Sequence, residues 1–372
     1  MVLPILLATT LTLAQKDDPH QKDIQHDIDL GNQYAKQVEK ESKFTENAEY
    51  IRRVTTIGKS LAEVANNTNL TVKWGDSRHS SFPYEFKVIK GDDVNAFSLP
   101  GGKIYVYEGL LKFVESDDEL AGVLSHEIGH AAERHVATLQ RDEGKIEAIT
   151  LPLILIAIFT QGGVNAGPAF QLSSLLGTAI GNGWSQKAEA AADDAGFQII
   201  SKSAYNPAGM VTFMERLAGE ERDNPKINWG IFRTHPPSTL RLDSLMGDMK
   251  KAQLPLERSK VTTTFRTTAV PVADGVQLLL GKTPIIKLHG EDAAARAAKA
   301  VPALNKCFDQ VPELFEISSV GNSFVWGSTT LFEITDEDAK GENMALSDLK
   351  AKTLKSLRAA LFGISFRIRQ LH

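Results

Sequence analysis

From about Asp27 to Asn66 the apolar positions Ile28, Leu30, Tyr34, Val38, Ile51, Val54 and Ile57 alternate with charged residues at mostly three- and four-residue intervals. That is the pattern of a helix with one buried face. Around Thr71–Ile89 β-branched and aromatic residues take over, as in Phe86-Lys-Val-Ile-Lys90, and predict a strand. Gly91-Asp92-Asp93 supplies a turn, and Asn95–Val106 reads as further strand interrupted by Pro100-Gly101-Gly102. A helix opens at Ser116, with Glu119 at capping-box spacing, and runs through Leu120, Val123, Leu124 and Ile128 to about Leu139. Further helices are predicted over about Gln186–Ser203 and from Pro236-Pro237 toward Lys251.

Near Pro255 the pattern changes. Val261–Val272 is rich in Thr and Val, Lys282–Leu288 reads as a strand, and Glu291–Asp309 as an Ala-rich helix. Phe315–Val325 and Ser328–Ile334 read as strands, with Gly321-Asn322 placing a hairpin turn, and Ser347–Phe362 closes as a helix. No long repeat is evident. The expected fold class is α+β: a mainly helical domain over 33–255 with a small sheet, then a small α/β domain over 262–372.

The chain has 372 residues, 42% hydrophobic and 23% charged, with a formal net charge of -5. This excludes global disorder and argues against a nucleic-acid partner, which calls for a basic face. A single cysteine, Cys307, excludes an intrachain disulfide framework and a Cys-rich metal site; in its helical context it is expected to be packed. Residues 1–14 resemble a signal peptide, with an apolar run from Val2 to Ala8 and small residues near Ala14, although no Lys or Arg precedes the run. Residues 15–32 are expected as a polar linker, and the chain as exported, periplasmic or envelope-associated. The apolar stretch Leu151–Phe159 is far shorter than the about 20 residues a spanning helix needs. With the rest of Leu151–Leu176 it is read as core, as a lid over a cleft, or as a peripheral membrane contact.

The strongest chemical signal is His126-Glu127-Ile128-Gly129-His130. At i and i+4 two helical side chains stand about 40° apart, so two imidazoles can share one Zn²⁺ at about 2.0–2.1 Å per bond. Glu127 then stands beside the metal, placed to take a proton from water, and Gly129 permits close approach of another backbone. Zinc also needs a third protein ligand, for which Glu189 in Glu189-Ala-Ala-Ala-Asp193 is the candidate. Asp193, one turn further on, is a carboxylate that could hold a ligand imidazole by its free N–H.

His126–His130, then Glu189–Asp193, then Thr234-His235-Pro236-Pro237 with Arg241, is a motif order that resembles the HtpX-like and CAAX-prenyl-protease-like zinc metallopeptidases of gluzincin type. The chain is most similar to their soluble, exported, BepA-like branch, over about Gln33–Lys250. The resemblance implies a zincin-type catalytic domain, one Zn²⁺ held by His126, His130 and Glu189, and Glu127 as general base. By itself His235, before two prolines, could be a solvated loop residue; the resemblance further implies a loop that brings it close to the metal. There His235 either fills the fourth ligand position and keeps the enzyme latent or donates to the developing oxyanion. Arg241 either anchors that loop or is an ordinary surface charge.

His135, nine positions beyond His126 on the same predicted helix, falls about 180° round it and is expected to face away from the metal. His20, His26, His79, His289 and His372 have no ligand-like spacing and are expected in solvent. Asn95, Ala96 and Phe97 open a strand beside the cleft; if its edge is free, it would bind extended peptide through main-chain hydrogen bonds. Unfolded or flexible envelope proteins are then the expected substrates. The competing reading is a chaperone-like or assembly factor of the envelope with latent or minor proteolysis.

Overall fold

The computed structural model describes residues 18–143, 184–223, 235 and 239–369. The expected signal peptide, the stretch Leu151–Leu176, Pro236-Pro237 and His372 lie outside the described residues.

The first predicted helix is two. Helix α1 (Pro19–Glu41) starts at an Asp18 cap with proline in its first turn, and α2 (Ala48–Asn66) starts at Asn47, whose side chain accepts from the Glu49 and Tyr50 amides. Between them the backbone leaves the helix to pair with a strand: the Thr45 amide donates to the Val88 carbonyl and the Lys90 amide to that of Lys43. Residues 19–32, expected as a linker, belong to α1. Their inner face is buried, and a Cβ at Gly31 would stand 1.9 Å from the Pro100 carbonyl oxygen.

Strand β1 (Glu85–Ile89) runs parallel to β3 (Lys103–Tyr107), which pairs antiparallel with β2 (Ala96–Leu99). The order β1-β3-β2 puts β2 at an edge among the described residues. The turn between β2 and β3 takes Gly101 to φ 72° and Gly102 to φ 83°, a conformation that glycine adopts without strain. Period-two alternation gives each strand two different faces. Val88, Ala96, Ile104 and Val106 join the main core, whereas Ile89, Phe97, Tyr105 and Tyr107 pack with Tyr34, Ala35 and Val38 of α1.

After the short α3 (Glu108–Phe113), α4 (Asp117–Ala132) runs through the main core, buried on nearly every side. Ser116 caps it by accepting from the Glu119 amide at 3.1 Å, but the Glu119 carboxylate reaches past the cap to the Glu115 amide at 2.8 Å. Helix α4 ends at Ala132, earlier than predicted: Arg134 takes a left-handed φ of 54°, and α5 (His135–Glu143) begins as a separate helix. Helices α6 (Trp184–Ile200), α7 (Ala208–Asp223) and α8 (Thr239–Lys251) complete the core. Helix α6 crosses α4 closely because both carry glycine at the contact. A Cβ on Gly129 would lie 2.9 Å from the Ala192 oxygen, and one on Gly196 3.0 Å from the His126 amide.

Beyond the one-turn α9 (Arg258–Val261) a second core extends from Phe265 to Ile364. It holds two antiparallel meanders, β4 (Thr267–Val272), β5 (Gly275–Leu280), β6 (Thr283–Leu288) and β7 (Ile317–Val320), β8 (Ser323–Trp326), β9 (Thr329–Glu333). Helix α10 (Ala293–Asp309) follows the first, and α11 (Asp336–Gly341) and α12 (Leu346–Arg369) follow the second. Strand β5 was not legible in the sequence pattern. The region also contains the repeat that the sequence did not betray. Leu280 pairs with Thr283 across a two-residue turn and Trp326 with Thr329, and the ladders bulge at the equivalent steps Leu278/Leu279 and Phe324/Val325. Most side chains at matched positions differ, Thr283 and Thr329 excepted, while the turn glycines Gly281 and Gly327 both keep positive φ, so backbone geometry records the repeat better than residue identity. Cys307 is fully buried, and His289, expected in solvent, is 6% exposed against Gly341. Among the described residues no helix is long and apolar enough to cross a membrane.

Candidate metal centre and active site

One turn of α4 places His126 and His130 with their rings 4.7 Å apart and their Nε2 atoms 3.1 Å apart. Helix α6, held close by the two glycines, brings Glu189 to face them: Oε2 is 3.4 Å from His126 Nε2, and Oε1 is 3.4 Å from His130 Nε2. His235, from between α7 and α8, closes the group, its Nδ1 3.1 Å from both Glu189 oxygens and 3.2 Å from His126 Nε2. One ligand atom from each of the four residues lies within 4.8 Å of the others.

These atoms fit zinc. Four ligands at about 2.0–2.1 Å in a tetrahedron are separated by about 3.3 Å, close to the spacings above. Three imidazole nitrogens and one carboxylate also match the preference of Zn²⁺ for nitrogen and oxygen donors. Glu127 is buried on the same helix, and among the described residues neither of its oxygens has a hydrogen-bond partner. His235 Nε2 comes within 3.2 Å of Glu127 Oε1, but off the hydrogen-bonding direction. Burial would push the Glu127 carboxyl up, yet the fields of His235, His126 and His130 hold it at about 2, so it is an ionised acceptor.

Around the ligands stands a ring of buried charge. His126 Nδ1 donates to Asp193 Oδ1 at 2.8 Å. Arg241 donates from Nε to Asp193 Oδ2 at 2.6 Å and from Nη2 to Oδ1 at 2.8 Å, and its Nη1 is 3.0 Å from Glu189 Oε2. Burial opposes ionisation of Asp193, but Arg241 and His126 outweigh it and hold the carboxyl at about 2. Arg241 is therefore a buried counter-ion to two carboxylates, not a surface charge.

Ala96 and Phe97 spend their side chains on packing, Ala96 in the main core and Phe97 stacked on Tyr105 at 5.0 Å, so at these positions β2 can offer an extended peptide only its backbone; Asn95, just before the strand, is buried too. His135 does not face away. The turn at Arg134 brings its Nδ1 to 2.9 Å from His130 Nδ1. Sequence spacing missed it because a 3.6-residue period holds only while the helix lasts. Glu133, also missed, is fully buried, and burial together with nearby Asp194 pushes its carboxyl up to about 9.

Comparison with known proteins agrees with this geometry. Residues 57–248 match the model of "Peptidase family M48". Over 285 residues, 76% of this chain and 53% of the relative, the sequence is 24% identical to the beta-barrel assembly-enhancing protease of Yersinia pestis. It is 27% identical to the protein of that name from Escherichia coli over 59% of this chain and 43% of the relative. It is 32% identical to Metalloprotease LoiP of Escherichia coli over 55% of this chain and 72% of the relative. The chain spans about half the length of the two assembly-enhancing proteases.

Proposed function

This chain belongs to Peptidase family M48, and on that footing we propose that it is a zinc-dependent endopeptidase acting on unfolded or flexible proteins. The observation that carries the proposal is the convergence of His126, His130 and Glu189 beside a buried, ionised Glu127 with no hydrogen-bond partner among the described residues. A structural metal site has no use for such a base.

Zinc, when bound, supplies Lewis acidity that lowers the pKa of water and polarises a carbonyl. The residues supply the rest. His126, His130 and Glu189 hold the metal. Glu127 accepts a proton from the attacking water as its oxygen bonds to the scissile carbon, then delivers that proton to the amine nitrogen as the C–N bond breaks. Asp193 orients His126, and Arg241 offsets the negative charge of Asp193 and Glu189.

For His235 two roles stood open, and its Nδ1 lies within ligand range of Glu189 and His126. That supports a resting role, in which His235 would join His126, His130 and Glu189 in holding the metal and would have to move aside for water and substrate. The place of β2 at the end of the β1-β3-β2 order among the described strands supports recognition of extended peptide by main-chain hydrogen bonding, which tolerates many sequences. The names of two relatives speak of beta-barrel assembly, and together with the signal-like residues 1–14 they support our extension of the reading to envelope proteins as substrates and an exported location. They also keep a chaperone-like or assembly role as the second reading. Residues from about 262 are proposed as an accessory domain for partner binding, substrate selection or attachment.

The test is cleavage of casein by the zinc-loaded chain from Gln15 onward, beside Glu127→Gln. Cleavage by the parent alone is the expected result. Equal cleavage by both would sink the assignment. If neither cleaves, His235→Ala separates latency, in which cleavage appears, from a binding role, in which it does not.

A further inference from the structure

The turn at Arg134 does more than end a helix. It sets the ring of His135 at 84° to that of His130, centroids 4.9 Å apart, with the two Nδ1 atoms in hydrogen-bond contact at 2.9 Å. His135 is 2% exposed. Its other nitrogen, Nε2, is 3.0 Å from the Trp74 carbonyl oxygen. A carbonyl oxygen can only accept, so Nε2 carries the hydrogen. Glu133 Oε2, 3.0 Å from the same nitrogen, accepts from it too. A proton donated from Glu133 would instead leave the Nε2 lone pair facing the Trp74 carbonyl.

In a neutral imidazole with Nε2–H, Nδ1 bears the lone pair. His135 Nδ1 is therefore the acceptor and His130 Nδ1–H the donor. That leaves the His130 lone pair on Nε2, the atom facing His126 and Glu189. On the other side, Asp193 fixes His126 in the same tautomer. The two imidazoles are thus oriented by unlike partners, one a carboxylate and the other a neutral ring.

The seat of His135 is built from distant parts of the chain. Gly75, at φ 129°, packs where a Cβ would stand 2.5 Å from the Glu133 carbonyl oxygen, and the Asp76 amide donates to that oxygen at 2.8 Å. Buried Arg134 ties the turn to α1 and to the same loop, through Asp27 at 2.6 Å and Asp76 at 2.7 Å.

We propose that His135 is a positioning residue: it accepts the Nδ1–H of His130 and, held by the Trp74 carbonyl, keeps the His130 Nε2 lone pair presented to the metal. The proposal rests on the zinc reading above, and its test separates the two.

Zinc affinity is measured by chelator competition for the full chain, His135→Leu and His135→Asn, with the absorption spectrum of the Co²⁺-substituted forms. His135→Leu removes the acceptor and is expected to weaken zinc about 10–100-fold and alter the Co²⁺ bands. His135→Asn retains an acceptor near Nδ1 and is expected to recover most of the affinity. If the unaltered chain binds zinc and His135→Leu binds it equally with the same Co²⁺ spectrum, the proposal is overturned alone. If the unaltered chain binds no zinc, the metal reading falls and takes this one with it. Imidazole ¹⁵N spectra of the unaltered chain add a readout independent of how the variants fold. His135 as the Nε2–H tautomer is expected, and the Nδ1–H tautomer would overturn the assignment.

Discussion

Arg241 grips Asp193 with two nitrogens, at 2.6 and 2.8 Å, and that same carboxylate accepts from His126 Nδ1 at 2.8 Å. A cation on α8 is thereby connected to a metal ligand on α4 through one side chain of α6. Replacing Asp193 with Ala removes the orienting partner of His126 and takes from buried Arg241 the carboxylate it grips with two nitrogens. The expected results are zinc binding weaker by about 10–100-fold and a loss of about 3–5 kcal/mol from the apo protein. Chelator competition and urea unfolding without metal measure the two effects separately. In the unaltered chain, zinc at 100 times its Kd is expected to add about 2.7 kcal/mol, which EDTA removes.

The α4–α6 crossing is a second point of sensitivity. A methyl group at Gly129 would meet the Ala192 carbonyl oxygen at 2.9 Å and the Ala195 Cβ at 3.1 Å, and neither is the free end of a flexible side chain. Gly129→Ala should therefore force the helices apart, at a cost of roughly 1–3 kcal/mol. Because Glu189 rides on the displaced helix, zinc affinity should fall as well. Unchanged urea midpoint and zinc affinity would contradict the packing argument.

Glu133 predicts a pH dependence. Burial and the neighbouring Asp194 push its carboxyl from an ordinary 4.5 up to about 9, against the opposing pull of Lys73. Between those values the folded chain keeps a proton that the unfolded chain has lost, so this group makes stability fall as pH rises. Glu133→Gln should remove the slope. Relative to the parent it is expected to gain up to about 4 kcal/mol between about pH 5 and 8, and to differ little near pH 5. Urea unfolding across that range checks it, and parallel curves for the two proteins would refute it.

The junction of the two cores hangs on Arg258, which donates to Glu215 at 2.6 and 2.8 Å and to the Asp309 carbonyl at 3.0 Å. Ser259 adds hydrogen bonds to the Asp309 carboxylate at 2.8 and 2.7 Å. Glu215 is fully buried, so Arg258→Ala strands its charge at a cost of about 3–5 kcal/mol. Calorimetry is expected to show the two cores melting further apart in temperature than in the parent.

What the sequence determined by itself was local. The His126–His130 spacing needs only the 3.6-residue period of a helix that persists across five residues. The Ser116 cap, the turn at Gly321-Asn322 and the strand tendency of Phe86–Ile89 are likewise decided among near neighbours. Tertiary structure decided the rest, because each remaining feature depends on a contact between distant residues. Thr45 pairing with Val88 splits the first helix, and a left-handed Arg134, fastened to Asp27 and Asp76, stops α4 and turns His135 back onto His130. Ala96 and Phe97 lose their side chains to packing on opposite faces because the sheet is covered on both. Glu189 and His235 carry ligand atoms in any conformation, but close helix packing at Gly129 and Gly196 is what sets Glu189 within 3.4 Å of both helix imidazoles. Periodicity reports which side of an element is buried; it carries no information about which distant carboxylate, carbonyl or ring will be waiting there.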